Sequence, residues 1–133
     1  MANKKKDQKG KRSEMKIFTV PFALEQIKES FSNSSNFNTQ SYQEKILNQA
    51  LKFHSEGNIL EATKYYKYYI NQGFNNHIVF SNYGVILRDI GKLKDAELSY
   101  RKAIEINPDF AEAHYNLGVI LRDLGQLEEA ILS

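Results

Sequence analysis

The chain of 133 residues contains no cysteine and no tryptophan, only two prolines and only seven glycines. Without cysteine, a disulfide scaffold, thiolate zinc sites, iron–sulfur ligation and cysteine nucleophiles are all excluded. So few prolines and glycines fall below the usual share of a globular chain and favour long, uninterrupted helices. Long apolar runs are missing too. The longest apolar stretch, residues 17–24, is broken by Thr19 and Pro21. It is far short of the ~20 residues that cross a bilayer, and it does not form the continuous core of a signal peptide. A soluble protein of the cytoplasm is the expectation.

Nucleotide and catalytic signatures are equally scarce. There is no G-x-G-x-x-G, no G-x-x-x-x-G-K, no H-E-x-x-H and no G-x-S-x-G. His54, His77 and His114 are not at metal-ligand spacing. No catalytic residue, cofactor or metal is therefore expected within these residues.

The formal charge of +2 hides an uneven distribution. Residues 1–12 hold six Lys/Arg and one acid, so the body carries a net −3. Residues 1–16 read as a basic, solvated arm. An alternative is contact of residues 4–12 with RNA or an anionic membrane, which six charges would make salt-dependent. The absence of interleaved aromatics argues against RNA. Residues 17–42 read as a short capping segment, helical after Pro21, followed by a Ser/Asn-rich linker.

What the chain does have is a repeat. Residues 77–99 and 111–133 are identical at 12 of 23 places, at an offset of 34 residues. One further step back, Ala50, Phe53, Gly57 and Ala62 fall in register with Gly84, Leu87, Gly91 and Ala96. The units are 43–76, 77–110 and an incomplete 111–133. Counting His77 as place 1, Phe80, Tyr83, Gly84 and Leu87 form an i, i+3, i+4, i+7 stripe. Gly91 should close that first helix. Leu93, Ala96, Tyr100, Ala103 and Ile104 stripe the second, which Pro108 stops. Each unit thus reads as two helices joined by a tight turn. Gly84, Ala96 and Ala103 are small so that two backbones can approach, with an aromatic at 80 or 100 filling the space beside them.

A 34-residue unit with small residues at places 8, 20 and 27, an aromatic at 24 and Pro at 32 resembles the tetratricopeptide repeat. The second unit matches with Gly84, Ala96, Ala103, Tyr100 and Pro108, and the third with Gly118 and Ala130. The first unit keeps Ala50, Ala62 and Tyr66 but has Tyr69 and Phe74 at places 27 and 32, so its packing is expected to be looser or bent. The resemblance implies an all-α, right-handed superhelix of antiparallel helix pairs with its last repeat truncated. It also implies binding of other proteins in a concave groove lined by the first helix of each pair.

In those first helices, the stripe opposite the expected core falls at places 2, 6, 9 and 13. Place 6 is Asn48, Asn82 and Asn116. A side-chain amide offers both donor and acceptor, so one per repeat could grip the backbone of an extended peptide. The Asn-Leu-Gly of residues 116–118 resembles the repeats of the O-linked N-acetylglucosamine transferase family, which implies such a ladder. Twelve asparagines and two near-copied units make coincidence the alternative. Val85 and Val119, Arg88 and Arg122, and Asp89 and Asp123 share this groove face. The arginines would pair carboxylates or phosphates of a partner, or form an Arg–Asp network between neighbouring repeats. In the run 65–69, Tyr66 and Tyr69 fit the buried stripe with Ile70, and Tyr65 and Tyr68 are expected to face outward.

The reading is a non-enzymatic scaffold that holds an extended segment of another protein. An alternative is the substrate-recruiting front of a larger transferase (glycosyl-, sulfo- or methyl-) whose catalytic domain lies beyond Ser133. The chain stops part-way through a helix, so continuation of the solenoid or self-association at an open carboxy-terminal edge is expected.

Overall fold

The computed structural model describes residues 22–32 and 38–132. The expected basic arm, the start of the capping segment and residues 33–37 of the linker lie outside the described residues. Six helices occupy the described chain: α1 (Phe22–Ser32), α2 (Thr39–Ser55), α3 (Ile59–Asn71), α4 (His77–Asp89), α5 (Leu93–Ile106) and α6 (Ala111–Leu132). No strand occurs among these residues, and none of the helices is long and apolar enough to cross a membrane.

Local chemistry sets the boundaries. Asn38, Asn58 and Asn76 stand before α2, α3 and α4, and each accepts a backbone N–H of the first turn through its side chain. Gly57 and Gly91 close α2 and α4 at φ +76° and +83°. At Gly91, the Lys92 N–H reaches Leu87 O at 2.8 Å and the Gly91 N–H reaches Arg88 O at 2.9 Å. That paired pattern requires a left-handed residue at the turn, which glycine adopts without a Cβ penalty. The same pattern, Asn58 to Phe53 and Gly57 to His54, ends α2.

Helices α2 and α3 form one antiparallel pair, α4 and α5 the next, and α6 packs on α5 and α4. One core joins Leu24 of α1, Tyr42, Ile46 and Ala50 of α2, Ala62, Tyr65, Tyr66 and Tyr69 of α3, and Val79 and Ile86 of α4. A second joins Leu87, Ala96, Tyr100 and Ile120. The small residues act as expected: Ala62, Ala96 and Ala103 are fully buried, and Tyr100 fills the space over Gly84.

Three expectations need correction, and one set of core positions was not anticipated. First, Tyr65 does not face outward. It is 1 % exposed and stacks on Phe53 at 5.3 Å. Tyr68 also turns inward, its hydroxyl 2.6 Å from that of Tyr42. Helix α3 is covered by α2 on one side and α4 on the other, so its buried arc reaches about 200° instead of a narrow stripe. Second, places 3 and 10 are core positions. Val79, Ala113 and Ile120 are fully buried and Ile86 nearly so, because these places face the preceding helix pair. Lys45 and Lys52 stand there in the first unit, where no earlier pair precedes among the described residues.

Third, the looser packing expected at Tyr69 and Phe74 is not found. Tyr69 is buried, its ring edge-on to Phe74 at 5.3 Å, and Phe74 is edge-on to Tyr42 at 6.2 Å. The chain turns after α3 at Gly73, φ +80°, where the second unit uses Pro108. Fourth, the third unit does not bend at Gly125. The 22-residue helix α6 continues through it without a break, and Gly125 has no positive φ. Leu127 and Ile131 are consequently exposed.

Candidate functional site

The face of α4 and α6 that carries the recurring asparagines is built on the junction between helix pairs. At the first junction, Tyr66 projects from α3 between α2 and α4. Its hydroxyl meets Nδ1 of His54 at 2.8 Å and accepts the Asn82 side-chain N–H at 3.2 Å. The His54 ring also stands edge-on to the Tyr66 ring at 5.7 Å. Burial pushes the Tyr66 hydroxyl pKa up, and the Asn82 hydrogen bond pulls it partly back.

The three place-6 asparagines occupy different environments. Asn48 is exposed, Asn82 is half-buried and tied to Tyr66, and Asn116 is 7 % exposed. One N–H of Asn82 therefore serves the scaffold, leaving its carbonyl oxygen and second N–H. Val85 and Val119 are half-buried, and Val85 also packs on the second core. Arg88 is half-buried and Arg122 exposed.

Each arginine pairs with its own sequence neighbour. Arg88 reaches Asp89 at 3.4 Å and Arg122 reaches Asp123 at 3.6 Å. The expected Arg–Asp network between neighbouring repeats is thus replaced by pairs within one turn. Residues i and i+1 diverge around a helix, so such contacts are long and add little to stability.

At the second junction, Tyr100 stands in the register of Tyr66, with Arg88 and Asn116 at the places of His54 and Asn82. Tyr100 is fully buried, and its hydroxyl has no hydrogen-bond partner. Burial raises its pKa, the Arg88 charge lowers it, and Asp89 and Glu112 raise it. Sequence reasoning took Tyr66 and Tyr100 as packing residues and missed that the Tyr66 hydroxyl links the repeats while that of Tyr100 is left without a partner. The signal was present: a tyrosine at place 24 is followed 16 residues later by the place-6 asparagine in both junctions.

The histidines are absorbed by the scaffold. His77 stands edge-on to Phe110 at 4.7 Å, and His114 Nε2 donates to Pro108 O at 2.6 Å. No group of three His, Cys, Asp or Glu able to hold a metal comes together among the described residues.

Residues 84–122 match the family model of the TPR repeat. The match runs from Gly84 in α4, through α5, to Arg122 in α6. With the stacked helix pairs it supports the TPR family and is consistent with an all-α TPR solenoid. No curated protein sequence matches the chain. TPR repeats generally mediate protein–protein interaction.

Proposed function

We propose that the chain is an interaction module that holds an extended segment of a partner protein along the face shared by α2, α4 and α6. The observation that carries this reading is the Asn82 amide, half-buried on that face and oriented by the Tyr66 hydroxyl. A pre-set amide loses little freedom on binding, so its remaining donor and acceptor can pair with a peptide backbone at small entropic cost. Val85 lies one turn further along and offers apolar contact, and Arg88 and Asp89 follow on the same side. Backbone pairing gives affinity with little dependence on the partner's sequence. The ladder of amides, as in the transferase family that the repeats resemble, is the specific form proposed.

The test is peptide binding. Random 12-residue peptides are displayed, those retained by the wild-type chain are synthesised, and their affinity is measured by fluorescence anisotropy. Asn48→Ala removes an exposed amide and should weaken binding without changing stability. Asn82→Ala should weaken it further while also losing the Tyr66 hydrogen bond. Affinities unchanged in both variants would sink the ladder.

A further inference from the structure

The two junctions are built on the same places but solved differently, and the difference identifies a ligand subsite. At the first junction Tyr66 is saturated. Its oxygen accepts from Asn82, and its proton can go to Nδ1 of a neutral His54 imidazole. At the second junction arginine replaces histidine. A guanidinium carries only donors, so Arg88 offers nothing to the Tyr100 proton. The hydroxyl is left buried and unpartnered at 0 % exposure of its residue, a costly state in a packed interior.

The surrounding charges narrow what could satisfy it. Arg88 is already countered by Asp89, and Glu112 adds a second negative charge that acts on the same hydroxyl. A carboxylate entering here would meet net negative charge. A neutral oxygen acceptor would not. Arg88, whose charge acts on this hydroxyl, is weakly held. It is half-buried, and its contact with Asp89 is long.

The geometry points to Tyr100, Arg88 and Asn116 as a subsite for one neutral carbonyl oxygen of an extended partner segment, with the Tyr100 hydroxyl as donor and Arg88 moving aside to admit it. The inference rests on the groove reading above and deepens it. It makes the second junction the open subsite and the first, closed by His54, a structural one. The carbonyl comes from the main chain or from an Asn or Gln side chain of the partner.

Two substitutions that delete only a hydroxyl test this, each read for thermal stability and for affinity toward peptides retained by the wild type. Tyr66→Phe should lower the melting temperature, because two hydrogen bonds disappear. Tyr100→Phe should leave it unchanged or raise it, yet weaken peptide binding roughly three- to tenfold, the worth of one hydrogen bond. Arg88→His, which copies the first junction, should raise stability and weaken binding together. A Tyr100→Phe chain destabilised as much as Tyr66→Phe would show the hydroxyl already satisfied and overturn the subsite. Retained peptides that favour Asp or Glu in a manner dependent on Tyr100 would overturn the neutral ligand. An Asn or Gln preference lost in Tyr100→Phe identifies a side-chain carbonyl, and weakened binding without such a preference identifies a main-chain one. If peptides lose affinity in Asn82→Ala but ignore Tyr100→Phe, only the subsite falls. If the wild type retains no peptide, the groove reading falls and the subsite with it.

Discussion

The ring of Tyr100 lies so close over Gly84 that a Cβ on the glycine would sit 2.7 Å from Tyr100 Cε1. Tyr100 is fully buried, so its ring cannot retreat. Gly84→Ala should therefore destabilise the chain by about 1–3 kcal/mol through overpacking. Gly118 holds the matching place in α6, but nothing lies within 4 Å of the position a Cβ would take there. Gly118→Ala should stabilise by about 1 kcal/mol from helix propensity alone. Urea unfolding of the two variants checks the contrast, and equal effects would contradict the packing.

The turn glycines form a second contrasting pair. Gly91 is left-handed at φ +83°, and Gly125, at the same repeat place, lies inside a continuous helix. Gly91→Ala should cost about 1 kcal/mol or more, because alanine is strained at positive φ. Gly125→Ala should add helix and stabilise by a few tenths to about 1 kcal/mol. Circular dichroism with thermal melts reads both. Loss of stability in Gly125→Ala would mean that the chain bends there in solution.

A third expectation concerns Ser81. Its hydroxyl is buried in α4 without a hydrogen-bond partner. Ser81→Ala removes an unsatisfied polar atom and almost no volume, so stability should rise by about 1 kcal/mol. A fall in the urea midpoint would show that the hydroxyl is bonded.

The fourth follows from the tyrosines. Tyr42, Tyr65, Tyr66, Tyr69, Tyr83 and Tyr100 all have pKa values raised above 10.0, with burial the largest cause. For Tyr42 the hydrogen bond with Tyr68 adds to the effect. A proton held more tightly in the folded than in the unfolded chain gives stability that is complete below the unfolded pKa. That stability is lost as pH rises above about 10. Urea midpoints should fall steeply across this range, and tyrosinate absorbance should appear together with unfolding. Ionisation of these tyrosines in a chain that stays folded would refute the burial argument.

Much of the fold was legible because its signals are local. The 34-residue offset, the Gly91 turn and the small residues with an aromatic at 80 or 100 beside them are all read along the sequence, and the structure selects Tyr100. They correspond to helix caps and to the Gly84–Tyr100 contact. The inward turn of Tyr65 and Tyr68 was not legible in that way. A one-stripe helix has one neighbour, and α3 has two. The candidate site was half-legible. The asparagines were visible as a pattern, but their inequality was not: one exposed, one tied to a tyrosine, one buried.

The sequence alone determined the helical class, the repeat length and which residues had to be small, because periodicity and backbone preference act within a few turns. Tertiary structure decided the partners. It set Asn82 on Tyr66, left the Tyr100 hydroxyl without an acceptor, and carried α6 through Gly125. Those outcomes depend on which helix lies across which, and at what distance. A glycine permits a turn without compelling one, and a hydroxyl finds a partner only where a neighbouring helix supplies it.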